Sequence, residues 1–316
     1  MMSMKVIYGI GKVKKLEASV AAIGVFDGVH VGHQALIRKA ASRAKAAKSP
    51  LVVVTFDPHP VHVLRPDLRL PLITSLSHRL ALMEQLGVDI CVVIRFNRRF
   101  SRLSAEQFVK RYLVDKVNAR EIFVGDDFRF GENRSGTIAD FEAFGQKYGF
   151  RVHVLSAVGG RRSEGGRRKN IGSSVIRQRL AAGRLKDVRK LLGRPVAITG
   201  RVVKGDGRGK QLGFPTANII PEHELIPPVG VYAVRVHLKG KVFSGMANIG
   251  RRPSFPSKHQ SIHIEVHIFD FRQNIYGQSV ALEIVKIIRC EKRFSSPQAL
   301  VDQLTKDRLK ALQILS

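Results

Sequence analysis

The chain has 316 residues, of which 44% are hydrophobic, and this length and composition are typical of a soluble protein with two domains. No apolar stretch approaches the roughly 18 residues that span a bilayer, and the N-terminus lacks the apolar core of a secretory signal, so we expect a cytoplasmic protein without a membrane partner. A formal net charge of +29 attracts polyanions, but no zinc-finger, homeodomain or RNP-type pattern accompanies it, which argues against a specific nucleic-acid partner.

The first half of the chain alternates apolar strands with helical segments. In chain order the patterns predict strand 20–26, helix 33–48, strand 51–56, helix 77–87, strand 88–96, helix 105–117 and strand 121–125. The run over 51–56 is rich in β-branched residues, which is typical of a strand buried on both faces. This β-α-β-α order predicts a doubly wound, Rossmann-like parallel sheet whose ligands bind at the carboxyl ends of its strands.

The pattern changes near residues 191–195. From there onward short segments alternate polar and apolar residues, most clearly in YAVRVHL and IHIEVHIF, and this predicts an antiparallel β-barrel or sandwich. A closing helix is predicted over 296–315. We therefore predict an α/β domain at 1–186 and a β domain at 187–316, with a Gly- and Arg-rich loop at 159–170 inside the first.

Three glycines and two histidines surround the junction of the first predicted strand and helix, in the stretch GVFDGVHVGHQ. Gly24, Gly28 and Gly32 allow the backbone to approach a ligand closely, and the start of the helix offers free N–H groups and the positive end of its dipole. His30 and His33 are three residues apart, so both can face one phosphate and donate hydrogen bonds to its oxygens. The alternative is a pair of surface histidines at a helix cap.

Two later segments of the first half carry polar residues at the ends of predicted elements. Ser173, Ser174 and Arg177 begin a helix, where two hydroxyls and a bidentate guanidinium make an anion site. The alternative for this segment is an ordinary N-cap. Asp126 and Asp127 follow a predicted strand, where a carboxylate pair can hold a ribose, a metal ion or a flavin group. The alternative for that pair is a charged turn.

The second half contains the glycine-rich segment GRVVKGDGRGKQLGFPTAN. Its flexible glycines and the basic residues Lys204, Arg208 and Lys210 suit a cradle for a polyphosphate, although the segment has no GxxxxGK(S/T) pattern. The hydroxyl of Thr216 and the side-chain carbonyl of Asn218 are hard oxygen ligands that suit Mg²⁺ bound together with phosphate. The alternative is a basic hairpin loop.

The alternating stretch IHIEVHIF indicates a strand with two different faces. Apolar residues such as Ile264 and Val266 share one face, and His263, Glu265 and His267 share the other. A glutamate that faces a cavity can take the proton from a primary alcohol, whereas most strand glutamates are exposed to solvent.

Together these segments resemble a known family. GVFDGVHVGHQALI is similar to the HxGH signature of the nucleotidyltransferase superfamily and, more narrowly, to the adenylyltransferase module of the bacterial bifunctional riboflavin kinase/FAD synthetase family. TFDPHP, LITS, VGDDFRFG and IGSSVIR resemble that module in the same order. LGFPTANI, PPVGVYAV, GMANIGRRPSF, IEVHIFDF and IYG resemble the riboflavin kinase module, so the resemblance covers nearly the whole chain.

The resemblance implies an N-terminal nucleotidyltransferase domain, a C-terminal antiparallel β-barrel kinase domain and two consecutive reactions. The kinase module would convert riboflavin and ATP into FMN and ADP, and the other module would convert FMN and ATP into FAD and pyrophosphate, with Mg²⁺ as the metal ion. The implied catalytic residues are His30, His33 and Glu265, and the implied metal ligands are Thr216 and Asn218. The implied nucleotide- and flavin-binding residues are Gly24, Phe26, Asp27, Gly32, Asp127, Ser173, Ser174, Arg177, Gly205, Gly213, Thr216 and Asn218.

Two positions depart from the family pattern, and two other functions remain open. Gly172 stands where the family usually has a small hydroxyl residue, and Asp57 keeps the negative charge of the usual glutamate with a shorter reach. One alternative is a different nucleotidyltransferase, acting on pantetheine phosphate or nicotinate nucleotide, although the second half of the chain argues against it. The other is a nucleic-acid-binding protein, which the charge of +29 suggests.

Overall fold

The computed structural model divides the chain into two compact units. The described residues are 3–68, 70–156, 172–205, 207–223, 225–252 and 261–316. The first unit comprises Met1–Leu70 and Leu76–Ser173, and the second comprises Pro71–Ser75 and Ser174–Ser316. The Gly- and Arg-rich loop expected at 159–170 lies outside the described residues. The domain boundary expected after residue 186 stays a prediction.

Among the described residues, the first unit contains a six-stranded parallel sheet, which confirms the doubly wound fold. Its strands are β1 Lys5–Tyr8, β2 Ser19–Ile23, β3 Leu51–Asp57, β4 Ile90–Arg95, β5 Ala119–Gly125 and β6 Arg151–Leu155. They are ordered β1-β4-β3-β2-β5-β6, and all neighbours are parallel. The order reverses between β2 and β5, and ligands of such sheets bind outside the carboxyl ends of the strands at this place.

Helices cover both faces of this sheet. They are α1 Val31–Ala46, α2 Pro60–Leu64, α3 Leu76–Gln85, α4 Arg98–Ser101, α5 Ala105–Phe108 and α6 Ile138–Tyr148, with 3₁₀ turns at Ile10–Lys12 and Glu132–Arg134. Val20 and Ala22 of β2 pack in the same apolar cluster as α1 and α3, whereas Ala21 and Ile23 pack with α5 and α6. Successive residues are therefore buried on opposite faces, as an uninterrupted apolar strand predicts.

The junction between β2 and α1 differs from the predicted boundaries. The strand expected over 20–26 ends at Ile23, because Phe26 has a φ of 54° that no β-strand contains. The helix begins at Val31 rather than at residue 33, with His30 as its N-cap. The polar residues of the motif thus lie in a turn and at the start of a helix.

The helix expected over 105–117 is α-helical only in α5. It continues as a π-helix over Val109–Val114, where the N–H of Asp115 donates to the carbonyl of Lys110 and the two side chains form an ion pair of 2.9 Å. The five-residue spacing of this pair matches the wider π turn. The short elements β1 and β6 and the helix α6 have no predicted counterpart.

In the described part of the second unit, six antiparallel strands form a closed barrel, which decides between the barrel and the sandwich. They are β7 Val196–Val203, β8 Ala217–Pro221, β9 Gly230–Leu238, β10 Lys241–Arg252, β11 Ser261–Ile268 and β12 Ser279–Arg289, ordered β10-β11-β8-β7-β12-β9 with β9 closing on β10. The remaining helices are α7 Ser173–Ala181, α8 Leu185–Leu192, α9 Arg208–Gln211 and α10 Pro297–Leu315. The part of the chain that the structure describes contains no helix long and apolar enough to cross a membrane.

The two faces of β11 have different environments. Ile264 and Val266 are buried in the barrel core, as their alternation predicts. Glu265 therefore faces the outside of the barrel. On that outer side, Ala311 of α10 packs in one apolar cluster with Met246 of β10. The terminal helix thus covers the outer barrel surface beside the strand that carries Glu265.

Candidate active sites

The motif at the start of α1 forms a tight turn followed by a capped helix. Phe26 and Val29 have φ angles of 54° and 38°, and the N–H of Val29 donates to the carbonyl of Phe26. His30 then caps the helix, since its Nδ1 accepts a hydrogen bond of 3.4 Å from the N–H of His33. The turn lies at the carboxyl end of β2, beside the reversal of strand order, which is where the sheet is expected to bind its ligand.

The two histidines of the motif lie together. The rings of His30 and His33 stack with their centroids 3.6 Å apart, and Phe26 meets His33 edge to face at 5.2 Å. Gly32 makes this arrangement possible, because a Cβ there would lie 3.2 Å from the ring of His30. In the same way, a Cβ placed on Gly24 would lie 3.0 Å from the ring of Phe26. The glycines thus leave room for rings that pack against the backbone.

The surroundings of His33 keep its imidazole neutral. Burial holds the pKa of His33 well below its ordinary value of 6.5, and the neighbouring His30 and Arg79 lower it further. Among the described residues, the Nδ1 atom of His33 is buried without a hydrogen-bond partner. A neutral imidazole has one N–H donor and one acceptor nitrogen, so His33 can donate a hydrogen bond to a phosphate oxygen without carrying a positive charge.

Arg79 of α3 is a residue of this site that the sequence motifs do not indicate. Its side chain is buried, and it donates through Nη1 to the carbonyl of Val25 at 2.6 Å and through Nη2 to that of Phe56 at 3.3 Å. Nη2 also lies 3.6 Å from the carboxylate of Asp57. Arg79 therefore ties the segment after β2 to the carboxyl end of β3. The sequence held one indication that Arg79 is buried. Arg79 is four residues before the apolar Met83, so both lie on the same face of α3, which is the buried one.

Three further predicted residues lie at this edge of the first unit. Asp27 is buried. Burial lowers the pKa of Arg79, and the negative charge of Asp27 raises it and so partly offsets this effect. The hydroxyl of Ser173 donates to the carbonyl of Asp27 at 3.1 Å. Asp127 is exposed in the turn after β5, the strand next to β2 in the sheet. The structure thus brings Ser173 to the motif and places Asp127 beyond the adjacent strand end.

Ser174 and Arg177 belong to the second unit. Ser174 is exposed on the first turn of α7. Arg177 donates through Nε to the carbonyl of Pro71 at 2.7 Å. This hydrogen bond anchors its guanidinium group to the residue that precedes LITS. Within this unit the two residues lie near the start of α7, where a helix presents N–H groups.

The second candidate site is built on three adjacent barrel strands. Glu265 of β11 is directly opposite Asn248 of β10 and Asn218 of β8. Residues directly opposite each other in a sheet project to the same face, so the carboxylate lies between two amides. All three residues line a cavity of about 340 Å³, and Thr216 lines it as well. The structure therefore brings the predicted base and both predicted metal ligands to one place.

The glycine-rich segment wraps closely around Thr216 and Asn218. A Cβ at Gly205 would overlap the side-chain amide of Asn218, so only glycine permits this approach. Gly209 borders the cavity beside Thr216. Gly213 has a φ of 80° and turns the chain toward the strand β8. The loop can therefore present backbone N–H groups toward the cavity, as a phosphate cradle requires.

The far wall of this cavity comes from residues that the sequence patterns left unassigned. Arg289, Glu291 and Phe294 follow or end β12 and line the cavity opposite the strands. Arg289 is fixed by an ion pair of 2.8 Å with Asp307 of α10, a buried carboxylate. Leu304 of the same helix also lines the cavity. This wall depends on how α10 docks, which no local sequence pattern reveals.

The pair of oxygen ligands fits a hard cation bound together with phosphate. Thr216 and Asn218 provide oxygen donors in one cavity, and Mg²⁺ is usually held by one or two protein oxygens plus substrate phosphates. No cluster of three or more His, Cys, Asp or Glu side chains suited to a metal ion occurs within the described ranges. A metal ion here would therefore depend on the nucleotide for most of its ligands.

Comparisons with known proteins assign each half to a family. Residues 12–165 match the family model described as FAD synthetase, and residues 192–315 match the model described as riboflavin kinase. The bifunctional riboflavin kinase/FMN adenylyltransferase of Buchnera aphidicola subsp. Schizaphis graminum is 38% identical over 96% of this chain and 96% of its own length. The protein of that name from Escherichia coli K12 is 38% identical over 98% of this chain and 97% of its own length.

A solved structure has a similar fold over almost its whole length. It is described as a macrolide-efflux protein from Streptococcus pneumoniae, and it is 32% identical with a TM-score of 0.81 over 97% of this chain and 98% of that chain. The two family models and the two curated relatives name one pair of activities.

Proposed function

The chain belongs to the family of bifunctional riboflavin kinase/FMN adenylyltransferases, and from this membership we propose how its residues divide the two reactions. The protein phosphorylates riboflavin with ATP to give FMN, and it adenylylates FMN with ATP to give FAD and pyrophosphate. The observation that carries the assignment of residues is the cavity in the second unit, which is lined by Thr216, Asn218 and Glu265 together.

We assign the kinase reaction to this cavity, with Glu265 as the general base. Its carboxylate accepts the proton of the ribityl 5′-hydroxyl, the hydroxyl oxygen forms a bond to the γ-phosphorus of ATP, and the bond from that phosphorus to ADP breaks. Glu265 suits this role because it lines the cavity between Asn218 and Asn248 rather than projecting into bulk solvent. A positioned base of this kind typically contributes about 10²–10⁴-fold in rate.

Thr216 and Asn218 are the residues that would hold Mg²⁺ in this cavity. When bound there with ATP, the ion neutralises charge on the phosphate oxygens. Gly205 and Gly209 of the glycine-rich loop lie next to these two residues, and the loop would bind the polyphosphate through its N–H groups. Positioning of the two substrates and stabilisation of charge then perform most of the catalysis.

We assign adenylyl transfer to the first unit. An oxygen of the FMN phosphate forms a bond to the α-phosphorus of ATP, and the bond to pyrophosphate breaks. The stacked imidazoles of His30 and His33 donate hydrogen bonds to the phosphate oxygens as charge builds on them. Gly24, Phe26 and Gly32 hold the turn and the rings in place for this task.

The remaining assignments in this reaction follow the family pattern. Ser173 would bind the triphosphate, and Asp27 and Asp127 would contact the nucleotide or the flavin. The triphosphate contacts that the family pattern implies for Ser174 and Arg177 stay predictions. The hydrogen bond from Ser173 to the turn at Asp27 supports the first of these assignments. The buried position of Asp27 and the exposed position of Asp127 indicate that Asp27 organises the turn and Asp127 meets the ligand.

The two reactions are tested separately with purified protein. Incubation of riboflavin with ATP and Mg²⁺ should yield FMN and then FAD, and incubation of FMN under the same conditions should yield FAD and pyrophosphate, all resolved by chromatography. Addition of EDTA should stop the riboflavin reaction if Mg²⁺ is required. Failure to consume either flavin would contradict the assignment.

Two further experiments test the alternative functions. Pantetheine phosphate and nicotinate mononucleotide should not be adenylylated, because residues 12–165 match the FAD synthetase family and residues 192–315 match the riboflavin kinase family. Non-specific binding of nucleic acid, which the charge of +29 favours, should fall steeply as salt is raised in a filter-binding assay. We further propose that the protein works in the cytoplasm with its flavin and nucleotide substrates, and without a specific nucleic-acid or membrane partner.

A further inference from the structure

A histidine lies directly beside the proposed base of the kinase site. The Nε2 atom of His263 is 2.6 Å from Oε1 of Glu265. The two residues are separated by one position on β11, so their side chains leave the same face of the strand. An ionised carboxylate only accepts hydrogen bonds, so the imidazole must carry the proton on Nε2 and donate it.

The position of His263 separates it from the substrates. Glu265 lines the cavity, whereas His263 is not among the residues that line it. Across the sheet from His263, β10 has Gly250, which has no side chain to compete with the ring. His263 therefore contacts the proposed base without itself belonging to the cavity lining.

The cavity contains a second acidic side chain, which makes the orientation of Glu265 important. Glu291 lines the same cavity, and its Oε1 would lie 3.0 Å from a Cβ placed on Gly250. A glutamate has three rotatable side-chain bonds, and repulsion from another carboxylate in the same cavity favours rotamers that turn it away. A hydrogen bond to one carboxylate oxygen restricts those rotamers.

We propose that His263 is a positioning residue for riboflavin phosphorylation: its Nε2–H holds Oε1 of Glu265 and so keeps the carboxylate in place to receive the proton of the hydroxyl. This inference rests on the proposed role of Glu265 as the base. His263 itself neither binds riboflavin nor takes the proton. It acts by keeping the carboxylate in the geometry that proton transfer requires.

The test compares two replacements in the full-length protein. His263→Phe keeps the volume of the ring but removes the donor, and His263→Gln keeps an N–H group near the position of Nε2. In His263→Phe, kcat for FMN formation should fall about tenfold, because a hydrogen bond to a charged group is lost. The KM values for riboflavin and ATP should not change, and His263→Gln should keep most of the wild-type kcat. Conversion of supplied FMN into FAD is the internal control and should be unaffected.

A double-mutant cycle with Glu265→Gln separates positioning from folding. If His263 acts through Glu265, adding His263→Phe to Glu265→Gln should not lower the remaining rate any further. A further tenfold loss in the double variant, equal rates in the Phe and Gln variants, or an unchanged kcat in His263→Phe would each overturn the proposal. If Glu265→Gln alone phosphorylates riboflavin at the wild-type rate, the role of Glu265 as the base is wrong as well.

Discussion

Replacement of Arg79 tests how the adenylyl-transfer site is held together. Arg79→Met keeps the length and apolar stem of the side chain but removes the donors to the carbonyls of Val25 and Phe56. The carbonyl of Val25 keeps a hydrogen bond from the hydroxyl of Thr55, so the main loss is the donor to the carbonyl of Phe56. An acceptor left without its donor costs about 1–3 kcal/mol. The ion contact with Asp57 is lost in addition. Such a loss is a large fraction of the stability of an ordinary domain.

Two measurements test this replacement: the unfolding temperature of the first unit and the rate of FAD formation. Calorimetry should show that the unfolding temperature of the first unit is about 2–12 °C lower in Arg79→Met than in the wild type. Below that temperature, FAD formation from FMN should fall more than about tenfold, because the segment after β2 and the end of β3 lose their common anchor and small misplacements of catalytic groups lower the rate. Phosphorylation of riboflavin should continue at the wild-type rate.

Arg79→Lys is the matched control. It keeps the positive charge near His33, but one ammonium group cannot reproduce the planar fork that reaches both carbonyls. Its unfolding temperature and its rate of FAD formation should therefore lie between those of Arg79→Met and the wild type. If Arg79→Met unfolded at the wild-type temperature and formed FAD at the wild-type rate, the anchoring role of Arg79 would be wrong.

Three further predictions concern the catalytic side chains. His30→Ala combined with His33→Ala should lower FAD formation from FMN by about 10²–10³-fold or more while FMN formation persists, and a near-normal rate in a flavin assay would make these histidines structural. Because the pKa of His33 in the folded protein is lowered from 6.5, the unfolded chain binds more protons, so the stability of the first unit should decrease as pH falls below about 6.5. When the free energy of unfolding is measured by chemical denaturation at several pH values, it should change less with pH in His33→Gln than in the wild type. An equal dependence on pH in both proteins would contradict the burial argument. Glu265→Gln should lower single-turnover phosphorylation by about 10²–10⁴-fold without weakening riboflavin binding measured by fluorescence, and an unchanged rate would remove Glu265 from the mechanism.

The first site was predictable where a local pattern determines its geometry. The spacing of His30 and His33 predicts that both rings can face one phosphate, and the structure stacks them at 3.6 Å. The contribution of Gly32 is more specific than backbone freedom, because its missing Cβ makes room for the ring of His30. Arg79 was not predictable as a site residue, since its partners are carbonyls on two other segments.

The second site shows the same division between local and long-range information. Period-two alternation predicts the face of β11 that carries Glu265, and the structure places that face against a cavity. The far wall at Arg289 was not predictable, because it depends on the ion pair with Asp307 from a helix that follows in the chain. Packing between distant segments leaves no period in the sequence, so only the residues on one element could be assigned.

The central claim is that one chain makes FAD from riboflavin at two separate sites with FMN as the intermediate. Complementation of two inactive variants measures this directly. Glu265→Gln should retain adenylyl transfer, and the protein with both His30→Ala and His33→Ala should retain phosphorylation. With riboflavin, ATP and Mg²⁺, the first variant alone should leave riboflavin unchanged, the second should accumulate FMN, and their mixture should form FAD. Formation of FAD from riboflavin at the wild-type rate by either variant alone, or no FAD from the mixture, would contradict the account.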